Sequence, residues 1–211
     1  MNTDTQYLHL STRCPHPNRT SKGWIAKALG TIVCARCRRV LDRSQGIDVV
    51  LDEPPVNTSL NCIGFIEPYT VTVKLKRHLD QYGFSEQFRF GKVFDESGNE
   101  YPEFCTFYSP HVVRMRGTNK STLRRCEVCR SILHSPIYPY YLLRRDYEAL
   151  NGAPLAMSQI SLIIRSDLWK DGLKDSREWK YLSFEKLPVK DAPIDGFPEN
   201  LEDFDKEEQT P

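Results

Sequence analysis

Two CxxC pairs constrain the fold of this chain more than any other feature of its sequence. Each pair places two thiols three positions apart, and one tight turn can then present both sulfurs to a single ion. Short runs that favour β-structure flank both pairs, so each pair is predicted to form a zinc knuckle at the tip of a hairpin. Two knuckles complete a tetrahedron, which predicts one structural zinc ion bound by Cys34, Cys37, Cys126 and Cys129.

Other interpretations of the cysteines stay open. Eighty-eight residues separate Cys37 from Cys126, whereas a compact zinc ribbon has roughly 15–20 between its pairs. Cys14 and His16 could complete a local site with the first pair, or His134 could join the second pair. A further interpretation is an ancestral site without metal, whose thiols are small buried side chains.

Two kinds of cysteine chemistry are disfavoured by the surrounding residues. A thioredoxin-like CxxC opens a helix, and neither pair precedes a helical pattern. Zinc deaminases need a glutamate two residues after a histidine, and none of the five histidines has one. The seven cysteines are an odd number, which suits metal binding in a reducing compartment better than a disulfide framework.

Length and charge limit the class of protein. The 211 residues carry 29 basic and 28 acidic side chains, a balance that argues against a general nucleic-acid coat protein. The chain contains no apolar run of about 20 residues, and its start lacks the basic-then-apolar order of a secretory signal. The sequence therefore predicts a cytoplasmic protein with no membrane partner.

The pattern along the chain is mixed, and it predicts an α+β protein. The expected unit is a strand-rich single globular domain, residues 1–190, with two CxxC knuckles and a few short helices, followed by an acidic, flexible tail, 191–211. A weak echo between residues 24–95 and 112–190 suggests two related halves. In the first half, the predicted elements are a strand at 46–51, a helix at 71–82 ended by Gly83, and an aromatic hairpin or meander at 88–108 turning at 95–99. In the second half, an extended surface segment is predicted at 135–141, where prolines block sheet pairing, followed by a buried strand at 158–164. A short helix is predicted from an N-cap at Ser166 through Lys170, and a strand at 179–187 has an apolar face formed by Leu182 and Phe184.

Two stretches are strongly basic, residues 1–47 with a net charge of +6 and residues 112–130 with +5. If the knuckles share one ion, these stretches converge beside it. They could form a face for an acidic partner or a phosphate backbone, or their arginines could offset the charge of a four-thiolate zinc centre. The acidic tail could fold back onto this face or engage a basic partner. Tyrosine and arginine are typical interface anchors, and the candidate partner-binding residues are Arg114, Arg116, Arg124, Arg125, Tyr138, Tyr140 and Tyr141.

The layout of these motifs resembles the double-CXXCG-motif family of myxobacterial proteins. The resemblance covers roughly residues 24–190, from Trp24 ahead of the first pair and 48–51 behind it, through the second pair, to 160–187. That family includes immunity proteins of Sit-type contact-dependent toxin systems. The resemblance implies a zinc-stabilised immunity protein that binds and neutralises a cognate bacterial toxin without catalysis.

This chain departs from the family motif at one position in each pair. Arg38 and Arg130 stand where the motif has glycine, the residue that permits a left-handed backbone in a thiol knuckle. A non-glycine residue there costs about 1 kcal/mol. Either metal binding outweighs this strain or the metal has been lost.

Two other functional classes are considered from the residues. A zinc-ribbon nucleic-acid-binding or regulatory protein would explain the basic stretches. An enzyme would need a nucleophile–base pair, a glycine-rich phosphate loop or carboxylates at metal spacing, and the sequence has none of these signals. The chain is therefore predicted not to be an enzyme.

Overall fold

A five-stranded sheet whose inner strands are buried on both faces lies at the centre of the molecule. The computed structural model describes residues 6–11, 20–55, 61–62, 69–83, 85–110, 112–174 and 182–203. The strands are β1 (Tyr7–Leu10), β2 (Val49–Leu51), β3 (Asn61–Cys62), β4 (Tyr69–Thr72), β5 (Arg89–Asp95), β6 (Glu100–Tyr108), β7 (Val112–Val113), β8 (Arg116–Arg125), β9 (Ile132–Leu143), β10 (Leu155–Ser158), β11 (Leu162–Arg165), β12 (Phe184–Leu187) and β13 (Val189–Lys190). The helices are α1 (Lys22–Ala28), α2 (Val73–Gln81), α3 (Arg144–Ala149) and α4 (Ser166–Leu168), and single turns of other helix types lie at Ser85–Gln87, Trp169–Leu173 and Leu201–Asp203.

The strands form three sheets. The central sheet has the order β12-β1-β11-β10-β7, the second sheet the order β2-β5-β6-β4-β3, and the smallest the order β13-β9-β8. Most neighbours are antiparallel, and β2–β5, β7–β10 and β9–β13 are parallel. The central sheet places the N-terminal strand β1 between two strands from the second half of the chain.

Two hydrophobic cores share the central sheet, one on each face. Successive side chains of a strand point to opposite faces, so Leu8 and Ile164 enter the first core while Tyr7 and Ile163 enter the second. The second sheet and helix α2 complete the first core. The β8–β9 hairpin and the residues around α3 complete the second. Because one sheet serves both cores, the chain forms a single globular unit, and the predicted strand-rich α+β class is confirmed.

The helix predicted at 71–82 is present but begins later. Val71 and Thr72 belong to strand β4, where they pair with Cys105 and Phe104 of β6, and α2 therefore starts at Val73. The Thr72 hydroxyl oxygen caps the helix by accepting from the Leu75 amide at 3.4 Å. Gly83 adopts φ +75° after the last turn, so its predicted role as the helix stop is confirmed.

The predicted aromatic hairpin is also confirmed. Strands β5 and β6 flank the turn at 95–99, where the Asp95 carboxylate accepts from the Asn99 amide at 2.8 Å. Phe107 lies at the centre of this sheet, with its ring 5.6 Å from Tyr69 and 5.4 Å from Phe88. The strand predicted at 46–51 is shorter, covering only Val49–Leu51.

The segment 135–141 was predicted to be an extended surface segment that cannot pair, and this is wrong. It lies inside β9, which pairs antiparallel with β8 from one end to the other. The register of that pairing shifts between Gly117 and Asn119 and again between Asn119 and Thr122. Pro136 and Pro139 fall at these two shifts, where the ladder does not need an amide donor.

The strand predicted at 158–164 is a hairpin of two strands, β10 and β11. The turn between them is closed by Ser158, whose hydroxyl accepts from the Ser161 amide at 2.8 Å. Ser166 does not cap the following helix, because it is already the first helical residue and Arg165 takes the N-cap position without a side-chain bond.

The predicted strand at 179–187 is described from residue 182 onward, where β12 covers Phe184–Leu187, and residues 179–181 lie outside the described part of the chain. Leu182 and Phe184 pack against the first core as predicted. None of the described helices is both long enough and apolar enough to cross a membrane.

Residues 191–203, the first part of the segment predicted to be a flexible tail, are packed onto the domain. The Ile194 amide donates to the Tyr141 hydroxyl at 3.0 Å, and both Asp195 and Leu201 are buried. A flexible tail is therefore the wrong description of this segment, which we call the C-terminal strap (residues 191–203). Residues 204–211 lie outside the described part of the chain.

Candidate metal centre

The four cysteines of the two CxxC pairs lie together in the structure. The Sγ atoms of Cys34 and Cys126 are 3.7 Å apart, those of Cys37 and Cys129 are 3.5 Å apart, and all four sulfurs lie within 4.8 Å of one another. Four ligands at 2.3 Å around a tetrahedral ion are separated by about 3.8 Å. This group could therefore hold one metal ion, and the predicted meeting of the two distant pairs is found.

The two knuckles share one backbone hydrogen-bond pattern. The amide of the first cysteine donates to the carbonyl five residues later, at 2.8 Å for Cys34 and 2.9 Å for Cys126. The residue four positions after each of these cysteines donates back to its carbonyl, at 3.0 Å and 2.9 Å. That returning residue is Arg38 or Arg130, with φ of 63° and 61°. The left-handed conformation of the glycine motif is thus kept without glycine.

The knuckles are carried by different elements. The second one connects β8 to β9 and so lies at the tip of a long hairpin, as predicted. The first follows helix α1 and is closed by an isolated antiparallel bridge between Val33 and Val40. Both valines are buried in the first core, which anchors the first knuckle to the domain.

Backbone amides and burial set the thiol pKa values of the cluster. Burial works to raise the pKa of Cys34, but hydrogen bonds from the Cys37 and Arg36 amides outweigh it and lower the pKa to about 6. The Cys129 amide likewise lowers the pKa of Cys126. Burial, together with the neighbouring thiols, raises the pKa of Cys37 to about 12. The knuckles therefore stabilise a first negative charge and resist the next, and a bound cation would remove that resistance.

The sequence left open two other sets of metal ligands, one that includes Cys14 and His16 and one that includes His134. Cys14 and His16 lie outside the described residues. His134 is not part of the sulfur group, because its ring is buried elsewhere, with Nε2 3.9 Å from the Asp195 carboxylate and Nδ1 3.4 Å from the Gln159 amide nitrogen. His134 therefore belongs to a separate polar network.

Arg116, one of the candidate partner-binding residues, is the centre of this buried network, and its side chain is not exposed to a partner. Its guanidinium forms two hydrogen bonds with the Asp195 carboxylate, at 2.7 Å and 2.6 Å, and also donates to the Phe197 and Pro198 carbonyls. Burial and then the Arg116 charge lower the pKa of His134 to about 4. Asp195 is one of eight acids in residues 191–211, and no local pattern distinguishes it from the other seven.

The other candidate partner-binding residues are divided between core and surface. Tyr141 is buried beneath the C-terminal strap and is therefore a core residue in this structure. Tyr138 is 56% exposed, and Tyr140 is half-buried with its ring edge-on to Tyr138. Arg124 is exposed, whereas Arg114 and Arg125 are half-buried.

A basic cleft lies beside the sulfur group, and we call it the arginine cleft. It encloses about 1090 Å³, and its walls include the sulfur-bearing residues Cys37 and Cys126. Its lining joins the two basic stretches, so their predicted convergence is found. The carboxylates in the lining are those of Glu127 and Glu202. Its arginines are Arg36, Arg38, Arg39, Arg43, Arg114, Arg124, Arg125 and Arg130.

The chain was compared with known protein families and with curated proteins. No family model matches it, and no curated protein matches it significantly.

Proposed function

We propose that this protein is a non-catalytic binding protein that neutralises a protein toxin from a scaffold joined by one structural zinc ion. The observation that carries the proposal is the meeting of four sulfurs from knuckles 92 positions apart. One ion bound by all four sulfurs would cross-link the two halves of the chain and so make the surface beside it rigid. A rigid surface binds with a smaller loss of conformational entropy.

Zinc is the metal that this ligand set favours. Four thiolates at tetrahedral spacing are typical of structural zinc sites, in which the protein supplies every ligand. A catalytic zinc site would need a position left for water or substrate. A four-cysteine site has no such position, so the proposed role of the ion is to stabilise the fold.

The surface next to the sulfur group has the chemistry of a protein interface. The arginine cleft offers guanidinium groups, which bind carboxylates in a planar, two-point geometry. Its positive field would accelerate encounter with an acidic partner. The assignment of that partner as a toxin rests on the resemblance of the CxxC layout to the double-CXXCG-motif family.

Native mass spectrometry of the protein co-expressed with the product of its chromosomal neighbour tests both parts of the proposal. We expect one zinc ion per chain and a complex of defined stoichiometry, and we expect cells carrying both genes to grow when cells carrying the neighbour alone do not. A chain that is fully folded without metal would refute the scaffold. A neighbour that neither binds nor harms cells would refute the immunity role.

A further inference from the structure

We infer that the Glu202 carboxylate occupies, within the chain itself, the place that a carboxylate of an acidic protein partner takes in the arginine cleft. This inference rests on the proposed function as a protein binder and adds the chemistry of the partner. It also gives Glu202 a role as an internal competitor for the binding surface.

Glu202 bridges two arginines of the cleft. One carboxylate oxygen lies 3.4 Å from Nη2 of Arg114, and the other lies 3.4 Å from Nη1 of Arg125. Charge-assisted hydrogen bonds of full strength are about 2.7–2.9 Å long, so both contacts are loose. The Glu202 side chain also stays 57% exposed. The cleft therefore accepts a carboxylate, but it holds this one weakly.

The C-terminal strap does not depend on Glu202 to stay in place. Asp195 anchors it through short bonds of 2.6 Å and 2.7 Å to the buried Arg116. Leu201, the residue before Glu202, is also buried. A partner could therefore displace the Glu202 side chain while the strap remains docked.

The two carboxylates in the lining, those of Glu127 and Glu202, leave the eight arginines of the cleft with excess positive charge. Among the described residues, no carboxylate lies within ion-pair distance of Arg36, Arg39 or Arg124. The pKa of Arg114 is lowered first by burial and next by the charge of Arg39, which shows that like charges from the two basic stretches crowd together. A ligand with several negative groups would relieve this repulsion.

The walls of the cleft favour an acidic protein surface over a single-stranded nucleic acid. Nucleic acids bound in such grooves stack their bases on aromatic side chains. No Phe, Tyr or Trp of the described residues lines the arginine cleft. Its apolar lining is aliphatic, from residues such as Val112, Ile132 and Leu133, and suits the side chains that flank an acidic residue in a protein.

Fluorescence anisotropy with two labelled probes, an octaglutamate peptide and an oligothymidylate of equal length, tests the inference at low ionic strength. We expect the peptide to bind the wild-type protein. Glu202→Gln should bind it about fivefold more tightly, because two weak ion pairs no longer compete. Arg114→Gln and Arg125→Gln should each bind it several-fold more weakly. Added salt should weaken the binding in every case.

Glu199→Gln is the matched control, since it removes the same charge from the exposed surface of the same strap. It should leave peptide affinity unchanged, and all four variants should melt within a few degrees of the wild type. Equal gains from Glu199→Gln and Glu202→Gln would overturn the inference, as would absence of peptide binding. Tighter binding of the oligonucleotide would also overturn it and would identify a nucleic-acid ligand instead.

The inference and the proposed function can fail separately. If the wild-type protein binds the peptide but does not protect cells against the neighbouring gene product, the toxin role alone is refuted. Intact protection in Arg114→Gln and Arg125→Gln, together with unchanged peptide binding, would refute the cleft as the site of the partner's carboxylates.

Discussion

Arg38 and Arg130 occupy equivalent positions, each directly after the second cysteine of its knuckle, with nearly equal φ angles of 63° and 61°. A left-handed backbone at an ordinary L-residue costs roughly 1–2 kcal/mol relative to glycine. The knuckle requires this angle because the amide of the residue must return to the first cysteine's carbonyl. The chain therefore sustains this strain twice.

We expect Arg38→Gly and Arg130→Gly each to raise the free energy of unfolding by about 0.5–1 kcal/mol. Relief of the left-handed strain exceeds the entropy that glycine adds to the unfolded chain. Urea unfolding of the metal-loaded protein measures the change. Arg36→Gly is the control, because it removes the same charge from the same loop at a residue without positive φ, and it should destabilise. Equal losses in Arg36→Gly and Arg38→Gly would contradict the strain argument.

We expect the double variant Cys34→Ser and Cys126→Ser to lose its metal and most of its stability. Structural zinc contributes about 10–16 kcal/mol in small zinc-finger peptides, which is comparable with the whole stability of a domain. Metal analysis of the purified protein and thermal melting with and without a chelator measure both effects. Cys105→Ser is the control, since Cys105 is also buried but lies outside the sulfur group. It should keep a full complement of metal, and retained metal in the double variant would contradict the site.

We expect Arg116→Met to lower the free energy of unfolding by about 3–5 kcal/mol, because it leaves the Asp195 charge buried without its partner. Adding Asp195→Leu should cost less than the sum of the single changes, with a coupling of about 2 kcal/mol or more. Limited proteolysis after Glu199 should be faster in the single variant, since the C-terminal strap would be released. Arg144→Gln breaks the exposed pair between Arg144 and Asp191 in the same strap, and it should cost less than about 1 kcal/mol. Additive effects at Arg116 and Asp195 would show that they do not act as a pair.

We expect His134 to make the fold less stable as the pH falls from 6.5 towards 4. Its pKa is lowered from 6.5 to about 4 in the folded protein, so in this window the unfolded chain binds a proton that the folded chain does not. The stability associated with this group is fully present above pH 6.5 and falls by about 1.4 kcal/mol per pH unit within the window. Unfolding free energies of the wild type and His134→Gln, measured at several pH values, isolate this effect, because protonation of the thiols is common to both. Parallel pH profiles would mean that His134 does not titrate in this way.

Local patterns in the sequence were enough to predict the two thiol pairs and several secondary-structure elements. The two thiol pairs, Cys34 with Cys37 and Cys126 with Cys129, follow from the CxxC spacing alone. The helix near Leu75 and Leu79 follows from apolar periodicity. Each of these features depends on residues that are close together in the chain, and such residues keep their relationship in any compact fold.

Other predictions were wrong because they depended on neighbours that are distant in sequence. Pro136 and Pro139 are incompatible with a regular ladder of hydrogen bonds. Strand β9 still pairs with β8, because the register between the two strands shifts at both prolines. The boundary of α2 likewise moved because residues 71 and 72 are taken into a ladder with β6.

The sequence by itself determined which residues can bind a metal, where the knuckles turn and which stretches are basic. Only the tertiary structure decided which charges are buried, namely that Arg116 pairs with Asp195 beneath the strap while Arg114 and Arg125 line the cleft. The physical reason is that a charged side chain enters the interior only where an opposite charge meets it. The identity of that partner depends on how distant segments pack, and no local pattern contains it.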